Sequence, residues 1–222
     1  MNVTRASKTA EPGSRYQPEP ILLDCYEQQD HWFLGPPSRI HGRSHAARVL
    51  IWANTIAHWM MQDGHSVDLE VVRWAAVLHD VRRLDDGKDT EHGERSAAWI
   101  RSGRVATPLL LSLAQQEHIA NCCQWHVPPD NAAPEMTSEL RCLKDADSLD
   151  RVRLHDLDVR YLRTTYARLL VPHAKALFEG SEPSGPDAGW LSVRTAALEL
   201  GVWMSDGLTY SKLLTRRNCC SL

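Results

Sequence analysis

The sequence predicts an all-α, single-domain bundle of about six to eight helices. Three observations point there. Apolar residues recur at three-to-four spacing over long stretches, capping and breaking residues bracket those stretches, and no stretch shows a convincing strand alternation. At 222 residues, 43% of them hydrophobic and 24% charged, the chain can bury roughly 70% of its unfolded surface. A core of that size needs neither a disulfide nor a structural metal.

Residues 1–18 are rich in Pro, Ser, Gly and charge and nearly empty of large apolar side chains, which predicts a flexible tail. The domain is expected over 19–222, with C-terminal helices over 156–216. Ile40, Ala47, Leu50, Ile56, Ala57 and Met60 give a first long helix over about 38–62, stopped by Asp63-Gly64. A second is expected from Val67 to about Asp80, followed by the polar loop RRLDDGKD, and a third over 90–102. Thr107-Pro108 reads as the cap and first residue of a fourth, which Pro128-Pro129 ends. A fifth spans about Glu135–Arg153, a sixth 155–179, and a last 189–215, after the loop EGSEPSGPDAG. Most of the eight tryptophans, Trp52, Trp59, Trp74, Trp99 and Trp203 among them, fall at helical spacing and read as core. Trp125 is the candidate for a pocket wall.

Several classes are set aside. A net charge of −3 offers no basic stripe for a nucleic-acid polymer. The six cysteines form no CxxC and no regular framework, which reads as reduced thiols in a cytoplasmic protein. The vicinal Cys122-Cys123 pair, about 100° apart on a helix, cannot easily serve one ion. No signal peptide and no membrane-spanning apolar run is seen, so no membrane association is expected.

The chemistry is concentrated in the histidines. Of eleven, eight (His41, His45, His58, His65, His79, His92, His118 and His126) fall between 41 and 126. Imidazole beside carboxylate suits divalent transition metals. Their order is more informative than their number: His45 in HGRSHAARV, the doublet His79-Asp80 closing the apolar run WAAVLHD, then Asp147 in KDADSLDR.

That order resembles the HD-domain metal-dependent phosphohydrolase superfamily, over about residues 38–155. The resemblance implies His45, His79, Asp80 and Asp147 as metal ligands, with His92 (in EHGERSAAWI) and His126 where two-metal members often carry extra histidines. Its physical reading is that Asp80, with two carboxylate oxygens, can bridge two ions, and that four protein ligands leave room for water and substrate. Asp145 and Asp150 compete with Asp147 on the same helix and are expected to cap or to face solvent. His126 is favoured over His118. His41, one turn before His45, is a candidate for substrate contact, and His58, His65, His155 and His173 read as structural.

The resemblance implies a metal-dependent phosphohydrolase acting through a metal-activated hydroxide on a nucleotide or other small phosphorylated metabolite, with one or two Mn, Fe, Mg or Co ions per chain. Arg82 and Arg83, just past the doublet, are candidates to grip a phosphate in bidentate fashion, and Lys144 is a further substrate-binding candidate. Arg83 stands where several HD nucleotidases carry the Glu of HDxxE, which counts against the nucleoside-monophosphatase subgroup. Two other functions stay open: a dinuclear-iron oxygenase of the same superfamily, and a non-catalytic nucleotide-sensing module. His126 is followed by Val-Pro-Pro-Asp rather than by a Lys one turn on, which counts mildly against the oxygenase.

Overall fold

The computed structural model describes residues 22–35, 38, 40–105, 111–181 and 189–202. Among these, seven α-helices follow one another with short 3-10 turns and no strand: α1 Arg43–Gln62, α2 Leu69–Leu78, α3 His92–Arg101, α4 Leu113–Trp125, α5 Ser138–Asp150, α6 Thr165–Ser181 and α7 Gly189–Leu200. The all-α expectation holds. The tail expected over 1–18, the Thr107-Pro108 cap, Trp203 and the end of the last helix lie outside the described residues.

Helix α1 is the axis of the bundle. It packs against α2, α5, α6 and α7, and most of its residues from His45 to Met60 are buried, so it is apolar on nearly all sides. Helix α2 is the second core helix, its last two turns fully buried. Arg73, which interrupts its apolar run, is matched by Asn54 Oδ1 at 2.9 Å and Glu70 Oε1 at 2.9 Å. Trp32, Trp52 and Trp74 are among the largest fully buried side chains, and Trp74 contacts Tyr26 and Trp32 with ring centroids 5.0 and 6.3 Å apart. Trp52, Trp59, Trp74 and Trp99 are buried, as their spacing predicted.

Local chemistry sets the ends. Asp68 accepts from the amides of Glu70 and Val71 at the start of α2, Ser112 and Gln115 form a capping box on α4, and Thr137 caps α5. The described α4 begins at Leu113, with Ser112 as its cap. The sixth begins at Thr165 rather than 155. His155 takes a left-handed conformation (φ 56°) that breaks the chain after a 3-10 turn, and buried Asp145 then accepts from the amides of Arg163 and Thr164 at 2.7 and 2.8 Å. Cys25, Cys122, Cys123 and Cys142 are free thiols. No described helix is long and apolar enough to cross a membrane.

Candidate metal centre

Two helix ends build the centre by one local device. At the C-termini of α2 and α4 the last carbonyls lack intrahelical partners. His79 and His126, the cap residues there, each turn Nδ1 back onto the carbonyl three residues earlier: Ala76 at 2.8 Å and Cys123 at 2.6 Å. Each ring thereby satisfies an orphan acceptor and aims Nε2 beyond the helix end. Pro128 and Pro129, without backbone N–H groups, stop α4 from continuing. His92, at the start of α3, directs Nδ1 to the Asp89 carbonyl. His45, on α1, directs Nδ1 to Asp150 Oδ2 at 2.7 Å.

A carbonyl or carboxylate can only accept, so Nδ1 of His45, His79 and His126 is the protonated nitrogen and Nε2 of each of these rings, when neutral, is a bare lone pair. The lone pairs of His45 and His79 face each other, with Nε2 atoms 3.1 Å apart, and His126 Nε2 lies 2.9 Å from His92 Nε2. Facing lone pairs this close repel unless a cation lies against both. Asp80 stands between the two pairs. Its Oδ2 is 3.4 Å from His45 Nε2 and 3.7 Å from His79 Nε2, and its Oδ1 is 2.8 Å from His92 Nε2 and 3.8 Å from His126 Nε2. Asp147 Oδ1, 3.5 Å from His45 Nε2, completes the first group. Donors bound ~2.1 Å from one ion stand about 3 to 4 Å apart, so two ligand groups sharing Asp80 fit divalent ions. His45, His79 and Asp147 form one possible metal-holding set, His79, Asp80 and His126 another, and His41, His45 and Asp80 a third.

Electrostatics agree. Burial and Arg153 push the His45 imidazole down, but Asp150 and Asp80 outweigh them and hold it above its ordinary value. Burial pushes His79 down to about 3. Burial would raise Asp80 and Asp147, yet the surrounding imidazoles win and keep both below the usual carboxylate range. His45, His79, Asp80, His92 and His126 are buried, whereas the Asp147 side chain is 35% exposed. Solvent reaches the cluster on the Asp147 side.

The model of the HD domain family matches residues 42–152, half of the chain. The chain belongs to the HD domain family, within the superfamily of metal-dependent phosphohydrolases. No curated protein and no solved structure matches it. The HD doublet is His79-Asp80, at the point where the two ligand groups share a carboxylate.

The HD-domain reading brought His45, His79, Asp80, His92, His126 and Asp147 together, and the structure places all six in the cluster. Arg83 lies at its edge, with Nη1 3.8 Å from Asp80 Oδ1 and 3.0 Å from His92 Nδ1. Arg82 is turned elsewhere: its Nη1 donates to the Trp32 carbonyl at 3.1 Å and its guanidinium lies over the Trp99 ring. Lys144 Nζ donates to the Pro128 carbonyl at 2.6 Å and Asp130 at 2.9 Å, tying the loop after α4 to α5. Trp125 is half-buried against the core.

Asp145 and Asp150 are both fully buried, not solvated. Asp145 caps the turn before α6, as described above. Asp150 does neither of the things expected of it: it accepts from His45, from Arg48 Nε and Nη2 at 2.5 and 3.2 Å, and from Arg153 Nη1 at 3.2 Å. His41, left open between substrate contact and surface, lies with Nδ1 2.9 Å from Asp80 Oδ2 and 3.3 Å from Arg153 Nη2. Sequence reasoning missed Asp150, Arg48 and Arg153. The available signal was register: His45 and Arg48 on α1, and Asp147 and Asp150 on α5, are each three apart and present matching faces.

Proposed function

We propose that the chain hydrolyses phosphoesters or phosphoanhydrides of a nucleotide or another small phosphorylated metabolite, using one or two divalent ions of the Mn, Fe, Mg or Co kind. The observation that carries this reading is the pair of facing Nε2 contacts, 3.1 and 2.9 Å, with Asp80 between them. His45, His79, Asp80 and Asp147 would hold one ion, and His92, His126 and Asp80 the other. Divalent ions so held lower the pKa of water and neutralise charge on phosphoryl oxygens.

The chain's own residues supply the rest. Arg83 sets a fixed positive charge beside Asp80, held by bonds from Nη2 to the Gly87 carbonyl at 2.7 Å and from Nε to the Asp85 carbonyl at 3.3 Å. A guanidinium clamped in this way can meet a phosphoryl oxygen without reorganising as charge develops. Half-open Asp147 admits substrate from solvent, and the buried imidazoles exclude bulk water from the opposite side. The test is phosphate release from p-nitrophenyl phosphate and a panel of nucleotides with each metal, against Asp80→Asn. Release that needs metal and Asp80 supports the reading. A metal-loaded protein that releases phosphate from none of them overturns it.

A further inference from the structure

The two halves of the cluster are not equivalent, and the difference lies behind the ligands. Of the four imidazoles, His79, His92 and His126 direct Nδ1 to a main-chain carbonyl, whereas His45 directs it to a carboxylate, Asp150. A carboxylate behind a ligating histidine fixes its tautomer and raises its basicity more than a carbonyl does, and such partners are typically worth 10–100-fold in metal affinity. Asp150 is itself immobile: buried at the end of α5, it is held by Arg48 and by Arg153, and Arg48 reaches on to Ser181 Oγ on α6 at 3.4 Å. The two guanidiniums offset part of its charge but lock its orientation, so Oδ2 stays directed at His45. The other half is disfavoured in turn. The Arg83 guanidinium lies 3.0 and 3.4 Å from the two ring nitrogens of His92 and opposes a cation there. Donor number points the same way, since only the His45 half has a second carboxylate, Asp147.

We propose that Asp150 is a positioning residue that makes the His45/His79/Asp147 half the tighter of the two, so that the centre fills in order and the His92/His126 half holds the exchangeable ion. This rests on the reading of the cluster as a divalent-metal centre. It assigns Asp150 no contact with substrate. Its effect runs through His45 alone.

Two readouts that need no turnover test it. In the full-length protein freed of metal, 15N NMR of the histidines reports the tautomer of His45, and the expected state carries its proton on Nδ1, with or without a second proton on Nε2. A His45 protonated on Nε2 alone overturns the proposal, and this needs no variant. Calorimetric titration with Mn2+ is then run on wild type, Asp150→Asn and His126→Gln. Two steps are expected for wild type, the first at least ~10-fold tighter. Asp150→Asn should weaken that first step by ~10–100-fold and leave the second nearly unchanged, merging the two. His126→Gln should abolish the weaker step only. Equal weakening of both steps by Asp150→Asn, or of neither, overturns the proposal while leaving the metal centre intact. Wild type that binds no Mn2+ overturns the metal reading and the proposal with it.

Discussion

Gly93 and Cys123 approach so closely that a methyl group on Gly93 would lie 2.5 Å from the Cys123 carbonyl oxygen and 3.1 Å from two atoms of the His126 ring. That carbonyl is the one His126 uses to orient its imidazole. Close packing of α3 on α4, and the placement of one ligand from each, therefore depend on the same missing side chain.

Gly93→Ala is accordingly expected to push α3 off α4, costing about 1 to 3 kcal/mol of stability and separating His92 from His126. Urea denaturation should show the lowered midpoint. Metal titration of the variant that stays folded should show the His92/His126 step weakened more than the other. A variant as stable as wild type, with unchanged metal binding, would refute the packing argument.

Arg82 and Arg83 are adjacent in sequence and opposite in expected effect. Arg83→Ala is expected to lower kcat/KM for phosphoester release by roughly 10- to 1000-fold, the range for losing one preorganised charge contact, with metal content retained. Arg82→Ala is expected instead to lower stability by about 1 to 2 kcal/mol through the lost Trp32 and Trp99 contacts, with the activity of the folded fraction retained. Steady-state kinetics and thermal melts on both variants distinguish the two roles. The reverse pattern would show the two arginines to be wrongly assigned.

The residues of the cluster were legible because the reading turns on order along the chain: His45, the His79-Asp80 doublet, His92, His126 and Asp147 belong to a motif whose parts fall on different helices. The helix count was legible because apolar periodicity is dense in α1 and α2. What escaped was three-dimensional. Nothing local distinguishes Arg82 from Arg83, and only the turn after α2 decides which of them faces the cluster. Asp145, Asp147 and Asp150 look alike in DADSLD, and the roles of cap, ligand and histidine partner are allotted by whether the 163–164 turn, the cluster or α1 lies opposite. The late start of α6 depends on a left-handed His155, a conformation uncommon enough for a non-glycine residue that the sequence does not announce it.

Asp130 gives the pH test. Hydrogen bonds from Arg163, then from Lys144, hold its carboxyl down to about 2 against burial, where an unfolded aspartate titrates near ~3.9. A depressed folded-state value means that the stabilisation is complete above about pH 4 and is lost as pH falls towards 2. With the side chain 43% exposed, screening leaves on the order of 0.5 kcal/mol. Asp130→Asn should therefore be less stable than wild type by that amount at pH 6, and the gap should narrow to roughly a third of it at pH 2.5. Urea midpoints at the two pH values check it, and a gap that widens on acidification would contradict the sign.

The central claim is that buried imidazoles and carboxylates from separate helices meet around a shared cation. Its most direct test is elemental analysis of the purified chain after exposure to Mn, Fe, Co and Mg and exhaustive dialysis, alongside Asp80→Asn shown by circular dichroism to be folded. At least one tightly held divalent ion per wild-type chain, absent from the variant, is the predicted result, with a melting temperature about 5 to 10 °C higher at a hundredfold excess over Kd. Wild type as empty of every metal as the variant would contradict it.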